Sequence, residues 1–469
     1  MFKIFNNKSF FKISYVLLLT INFLPIVNIM PFTRVLLAFF ALWGVYLFFR
    51  DISIQKISFF KNGIKSVILL LFVVFAFTYL INFKNDGLYN IVSLGFYFLS
   101  AFFLFDNTDN KINEKELVII SNGYIIIGFI AAFVSDIMFL FQVHLPIQNR
   151  AGSQVHLGVF ENRLFGLFSS PNVGCTFILL GMLMSFVVLW LKKNQASKGL
   201  KIFYCIFYFF GLVYYSLSLS KGAFVCLTAS VIVFFIFTKL PGFLNKNSSV
   251  IKSLFIRAVA IAVSLVVISF GVDFIRFFMV KSSNFVYLNI VNNYNNIDGQ
   301  NNDPEFNEIV LERIEADSDD ISNKRFSIWK ASFNSMKGKY IFGIGDTVSN
   351  LDNVKNELSK DDVAMIEYSH GNIHNGYLQI FIECGIIALL LYIGMLIWFV
   401  FRSLKALYEH RKNNHTYQLL LLLLAIPFYI LLNNCFETNM ALMGANVFQA
   451  VLWLFSGYAV TLFRRNTEN

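Results

Sequence analysis

The chain has few charges, few cysteines and very little proline. Of its 469 residues only 14% are charged and 7 are proline, whereas 57% are hydrophobic and 57 are phenylalanine. That much apolar surface cannot hide in one soluble core, which excludes an ordinary globular domain and leaves a polytopic membrane protein. The five cysteines, Cys175, Cys205, Cys226, Cys384 and Cys435, form no C-x-x-C pair and fall in or beside apolar runs. Neither a zinc site nor a disulfide framework is expected, and they read as small packing residues. There is no Gly-rich phosphate loop, no Rossmann-like segment and no repeat of solenoid period. The first apolar run ends in Phe23-Leu24-Pro25-Ile26-Val27 with no small-x-small cleavage site, so it is read as a retained span.

What the chain does have is apolar runs. A membrane crossing takes about 20 predominantly apolar residues. About twelve runs qualify, near residues 11–29, 33–49, 65–82, 88–105, 116–141, 168–191, 201–219, 222–239, 254–275, 374–401, 416–434 and 441–462. The expected fold is all-α: transmembrane helices 1–9 over residues 1–275, a partly helical extracytoplasmic loop over 276–373, and helices 10–12 over 374–469. Lys and Arg set the orientation, because short cytoplasmic connections retain positive charge. With the N-terminus inside, Lys3, Lys8, Lys12, then Arg50, Lys56, Lys61, Lys65, then Lys192, Lys193, Lys198, Lys201 all fall inside. So do Lys239, Lys246, Lys252, Arg257, later Arg402, Lys405, Arg411, Lys412, and finally Arg464 and Arg465. The short outer connections share only Arg34, Lys84, Arg150, Arg163 and Lys221. Both termini are therefore expected to be cytoplasmic. The net charge of +10 is mostly a topology signal and does not point to nucleic acid.

The segment 276–371 stands apart, with 15 of the chain's 28 acidic residues. Polar chain of this length is tolerated only outside the bilayer or lining a wet cavity, which makes a soluble-side site held between membrane helices the first expectation. Residues 289–303 are Asn-rich and read as irregular. From Glu305 to Lys339, Phe306, Ile309, Val310 and Ile314 recur at helical spacing, so a small helical cap is expected. Arg325-Phe326-Ser327-Ile328-Trp329 opens its second helical stretch, and Phe342-Gly343-Ile344-Gly345-Asp346 closes it in a glycine turn.

Four outward-facing places hold residues able to do chemistry. Asn162-Arg163-Leu164-Phe165-Gly166 precedes Ser169-Ser170-Pro171-Asn172, where Ser170 suits a helix cap and Pro171 the first turn. Such a helix start favours an anion, with Arg163 just before it, although a capped span with an interfacial Arg is an equal reading. Ser218-Leu219-Ser220-Lys221-Gly222 is a turn whose Lys is either a snorkelling cation or a phosphate contact. Arg325 alone would be a solvated charge. His374-Asn375, where polar loop becomes apolar helix, puts an imidazole that takes a proton near physiological pH beside any substrate. His370 and His374 are four apart, but Gly371 and Asn372 between them favour loop and no Glu follows the first His, so no metal is expected.

In this order the same segments resemble the O-antigen ligase and Wzy-type polysaccharide polymerase family. That family's pattern has R-x-x-G then P-N, an S-R-G turn, R-x-x-x-W, G-I-G, and H-N-x-x-L-Q entering a late span. Here these are Arg163 to Gly166 with Pro171-Asn172, Ser220-Lys221-Gly222, Arg325 to Trp329, Gly343 to Gly345, and His374 to Gln379. Lys221 departs from the pattern, since a point charge stands where a bidentate Arg is usual.

The resemblance implies a metal-independent, inverting, GT-C-like glycosyltransferase with no cofactor, in the cytoplasmic (inner) membrane with its active site extracytoplasmic. It implies His374 as base, Asn375 orienting His374 or a sugar hydroxyl, and Arg325, Arg163 and Lys221 on a pyrophosphate. Donor and acceptor would be undecaprenyl-pyrophosphate-linked oligosaccharides in the lipid bilayer, with a chain-length regulator and a flippase as partners. A polymerase is favoured over a ligase acting on lipid A core or protein, because the Lys-, Asn-, Ile- and Phe-rich composition suits AT-rich sources that often lack a lipopolysaccharide core. A transporter of lipid-linked glycans is the competing class. Against it stand the long outer loop ending in His-Asn and the lack of two-half symmetry.

Overall fold

The computed structural model describes residues 2–55, 63–82, 92, 94–96, 98–105, 112–149, 153–238, 250–291, 311, 324–345, 355–369, 371–438 and 446–464. The expected helix through Phe306, Ile309, Val310 and Ile314 lies outside these residues, as does His370.

Apolar runs become helices because a membrane leaves the backbone no other donor or acceptor than its own. Among the described residues seven helices are long and apolar enough to cross a membrane: Pro31–Ile54, Glu114–Leu140, Pro171–Lys192, Lys198–Ser218, Lys252–Ile290, Gly376–Lys412 and Asn414–Asn433. Shorter apolar helices cover Lys65–Ile81, Leu94–Leu104, Lys221–Phe237 and Val447–Phe463. Among the described residues the architecture is all-α and polytopic apart from one small sheet, described below. The chain folds as two compact units, one of Met1–Leu19, Arg34–Glu116 and Glu315–Asn469, the other of Thr20–Thr33 and Leu117–Ile314.

In the first unit the Asn414–Asn433 and Val447–Arg464 helices pack along each other, burying Leu420, Ile426, Ile430, Phe448, Phe455 and Tyr458. The Gly376–Glu409 helix lies against Gly63–Ile81 and is broken at Gly385, whose φ is 80°. The break frees backbone groups that must be paired. The carbonyls of Ile382 and Glu383 accept from Ile344 and Gly345 N–H at 2.9 and 3.0 Å, and Ile386 N–H donates to the Tyr340 carbonyl at 2.8 Å. The expected glycine turn, with positive φ at Gly343 and Gly345, is therefore what pairs the break. Beside it, short helices Arg325–Asn334 and Lys360–Tyr368 close on Ala331, Val363 and Ile366.

The second unit also carries a small sheet within the helical frame. Strands β1 (His144–Gln148), β2 (Gln154–Phe160) and β3 (Arg163–Gly166) form an antiparallel sheet in that order. β2 turns into β3 through Glu161 and Asn162, both at positive φ, the geometry of a two-residue hairpin turn. The stretch lies between two apolar runs, and its Glu-Asn turn is a weak hairpin signal in the sequence. A second difference concerns the helix expected to end near 275, which continues through Val286. No glycine or proline interrupts 276–286, and its end is anchored by Ser283, whose hydroxyl donates to the Phe139 carbonyl at 2.8 Å, and by Asn284, whose side-chain oxygen accepts from Gln142.

Candidate functional site

In the first unit three chain segments converge on one carboxylate. Arg325 and Trp329, four apart on one helix, share a face. Trp329 Nε1 donates to the Ile373 carbonyl at 2.8 Å, and its ring packs with Met336, Ile344, Ile373 and Ile382. That packing ties the helix to the turn carrying His374. Arg325 Nη2 then reaches Glu437 Oε1 at 3.5 Å, and His374 Nδ1 lies 3.5 Å from Glu437 Oε2. The Glu437 side chain is only 5% exposed, against 21% for Arg325 and 33% for His374. A buried carboxylate thus faces two cation-capable groups that remain open to a ligand.

The turn holding His374 is built residue by residue. Its φ is 52°, a left-handed backbone that a non-glycine residue adopts at a cost of about 1–3 kcal/mol. His374 N–H donates to Asn372 Oδ1 at 2.9 Å, and the same oxygen accepts from the Thr438 hydroxyl, which fastens the Glu437 segment to the turn. Asn375 caps the late helix, its Oδ1 accepting from Leu378 N–H at 3.0 Å. Its Oδ1 is thus engaged by the backbone. Gly376 donates its N–H to the Asn434 carbonyl at 2.8 Å, and a Cβ there would stand 2.0 Å from Asn434 Oδ1. Tyr377 donates to the Leu431 carbonyl at 2.8 Å. Gln379 accepts from Ile373 N–H at 3.2 Å and donates to Glu383, whose other oxygen accepts from Tyr79 at 3.1 Å.

Arg163 and Lys221 belong to the second unit. Arg163 sits in β3, buried, and its Nε donates to the Ser218 carbonyl at 3.0 Å. Gly166 at the end of that strand has a φ of 63°, and a Cβ on it would collide with Ser135. Ser170 stands at the helix cap and Pro171 in the first turn as expected, but the Ser170 hydroxyl makes no capping bond. The neighbouring cap is made instead by Ser220, which accepts from Ala223 N–H at 3.3 Å and donates to Asn172 Oδ1 at 2.8 Å. The P-N and Ser-Lys-Gly segments are therefore joined. Lys221 follows, exposed in the first turn of Lys221–Phe237.

Of the expected site residues, Arg325, His374 and Asn375 come together in the first unit, and Arg163 and the Ser-Lys-Gly turn come together in the second. Glu437 carries no motif in the sequence. It is a lone acid in the connection after a span, and only its charge within an apolar stretch could have flagged it.

No curated protein matches the chain. Residues 203–393 match the family model described as O-antigen ligase, a stretch that includes Lys221, Arg325, Gly343 to Gly345 and His374 to Gln379 but neither Arg163 nor Glu437. Over that segment the chain is similar to the O-antigen ligase family, whose ligases and polymerases are glycosyltransferase-like enzymes.

Proposed function

We propose that the protein is a polysaccharide polymerase that joins undecaprenyl-pyrophosphate-linked oligosaccharide units on the outer side of the cytoplasmic membrane, with twelve crossings and both termini inside. One observation carries the reading: within the family segment, His374 and Arg325 are brought together on a common carboxylate where polar loop becomes membrane helix. These two groups supply what inverting glycosyl transfer needs. The acceptor hydroxyl attacks the anomeric carbon, its proton passes to the imidazole, and the bond to the pyrophosphate oxygen breaks with the electron pair leaving on that oxygen. A guanidinium placed where this charge develops stabilises it, and neither role calls for a metal. Arg163 and Lys221 are assigned to the donor's pyrophosphate on the family resemblance.

Purified protein incubated with lipid-linked repeat units tests this directly. A ladder of products with no other acceptor is the expected result. Transfer only on addition of a lipid A core or an acceptor protein would make it a ligase, and no new glycosidic bond under any of these conditions would reject the enzyme reading.

A further inference from the structure

We propose that Glu437 is a positioning residue for the base, orienting the His374 imidazole through Nδ1 so that Nε2 presents its lone pair to the acceptor hydroxyl. This rests on the reading of His374 as base. Glu437 lies outside the matched family segment and outside every motif read from the sequence.

A neutral imidazole has one N–H and one lone pair, and which nitrogen holds the proton is decided by what each faces. Nδ1 is buried with no hydrogen-bond partner among the described residues and faces Glu437 Oε2 at 3.5 Å, a separation that a small turn of the ring would close to a hydrogen bond. A carboxylate only accepts, so Nδ1 carries the proton and Nε2 is left to act. The carboxylate is itself held. Arg325 engages its other oxygen, and the adjoining Thr438 is bonded to Asn372, which also receives His374 N–H. Burying an ionised carboxylate is costly unless it is compensated, and here both oxygens face a basic group. The second oxygen faces the imidazole, held at a left-handed turn with one-third of its surface open. Once His374 has taken the proton, the same carboxylate stabilises the imidazolium.

The test uses the purified full chain with polyprenyl-pyrophosphate-linked oligosaccharide and separates kcat from the donor KM. Glu437→Gln keeps the shape and removes the charge; kcat is expected to fall by about 10²–10⁴-fold. The donor KM should stay level or drop, since Arg325 is relieved of its carboxylate. Glu437→Asp should restore part of kcat. Measured on the residual activity of His374→Ala, Glu437→Gln should cost little more, because groups that act as a unit are not additive. Wild-type kcat in Glu437→Gln, a loss carried by a raised KM, or losses that multiply in the double variant would each overturn the proposal. If Glu437→Gln does not insert, Glu437→Asp is judged by the same split and the same double variant. An active Glu437→Gln beside an inactive His374→Ala removes only the positioning role, whereas a fully active His374→Ala removes the base as well.

Discussion

His374 is the residue on which the chemistry turns, and its backbone explains why it sits as it does. A left-handed histidine is held there by Asn372, by Trp329 on the preceding carbonyl and by the Asn375 cap that follows. Its side chain lies at the rim and not in an apolar span, so His374→Ala is expected to insert and purify normally while losing about 10²–10⁴-fold in rate. Donor binding, measured separately with labelled lipid-linked oligosaccharide, should survive. A chelator should leave the wild-type rate unchanged; inhibition reversed by zinc would instead make the histidine a metal ligand. Arg325→Ala and Lys221→Ala should each cost about 2–4 kcal/mol of transition-state stabilisation, as removal of one preorganised donor does. Lys221→Arg should keep activity, because a guanidinium replaces one positive charge with another. Turnover near normal in both alanine variants would take these two cations out of the mechanism.

At the scale of elements, the family motifs read as joints. The Gly343-Ile344-Gly345 turn pairs with the break in the late helix, and the two are mutually exclusive with side chains: a Cβ on Gly343 would stand 2.4 Å from the Glu383 carbonyl oxygen, and one on Gly385 2.1 Å from that of Ile341. Gly385→Ala should therefore destabilise the protein by about 1–3 kcal/mol, combining a left-handed φ with a backbone collision. Thermal unfolding in detergent measures this, and an unchanged midpoint would mean that the break does not depend on glycine. Asn375→Ala should cost about 0.5–2 kcal/mol through the lost cap. If Asn375 served the substrate instead, its alanine variant would lose rate with no loss of thermal stability.

For the whole molecule, the question is which side of the membrane the site faces. From the Lys and Arg bias, the segment carrying the Lys360–Tyr368 helix is expected outside. Ala364 is exposed on that helix, so Ala364→Cys should react with an impermeant thiol reagent in intact cells, above the wild-type background. Spheroplasts replace cells if an outer membrane is present. Labelling only after lysis would reverse the orientation and move the site to the cytoplasm.

The sequence by itself determined the membrane class and the helical segments, because apolar run length is a local property that the bilayer converts directly into helix. It also made Arg325, Trp329 and His374 visible, since their spacing within short stretches carries their meaning. The tertiary structure alone decided the rest. The β1–β3 sheet depends on pairing between segments whose local signals are weak, and the helix running on to Val286 depends on Ser283 and Asn284 finding partners near residue 140. Glu437 became part of the site only through the fold, because a single acid has no periodicity to betray it. Its importance lies in the distance from each of its oxygens to a base far away in the chain.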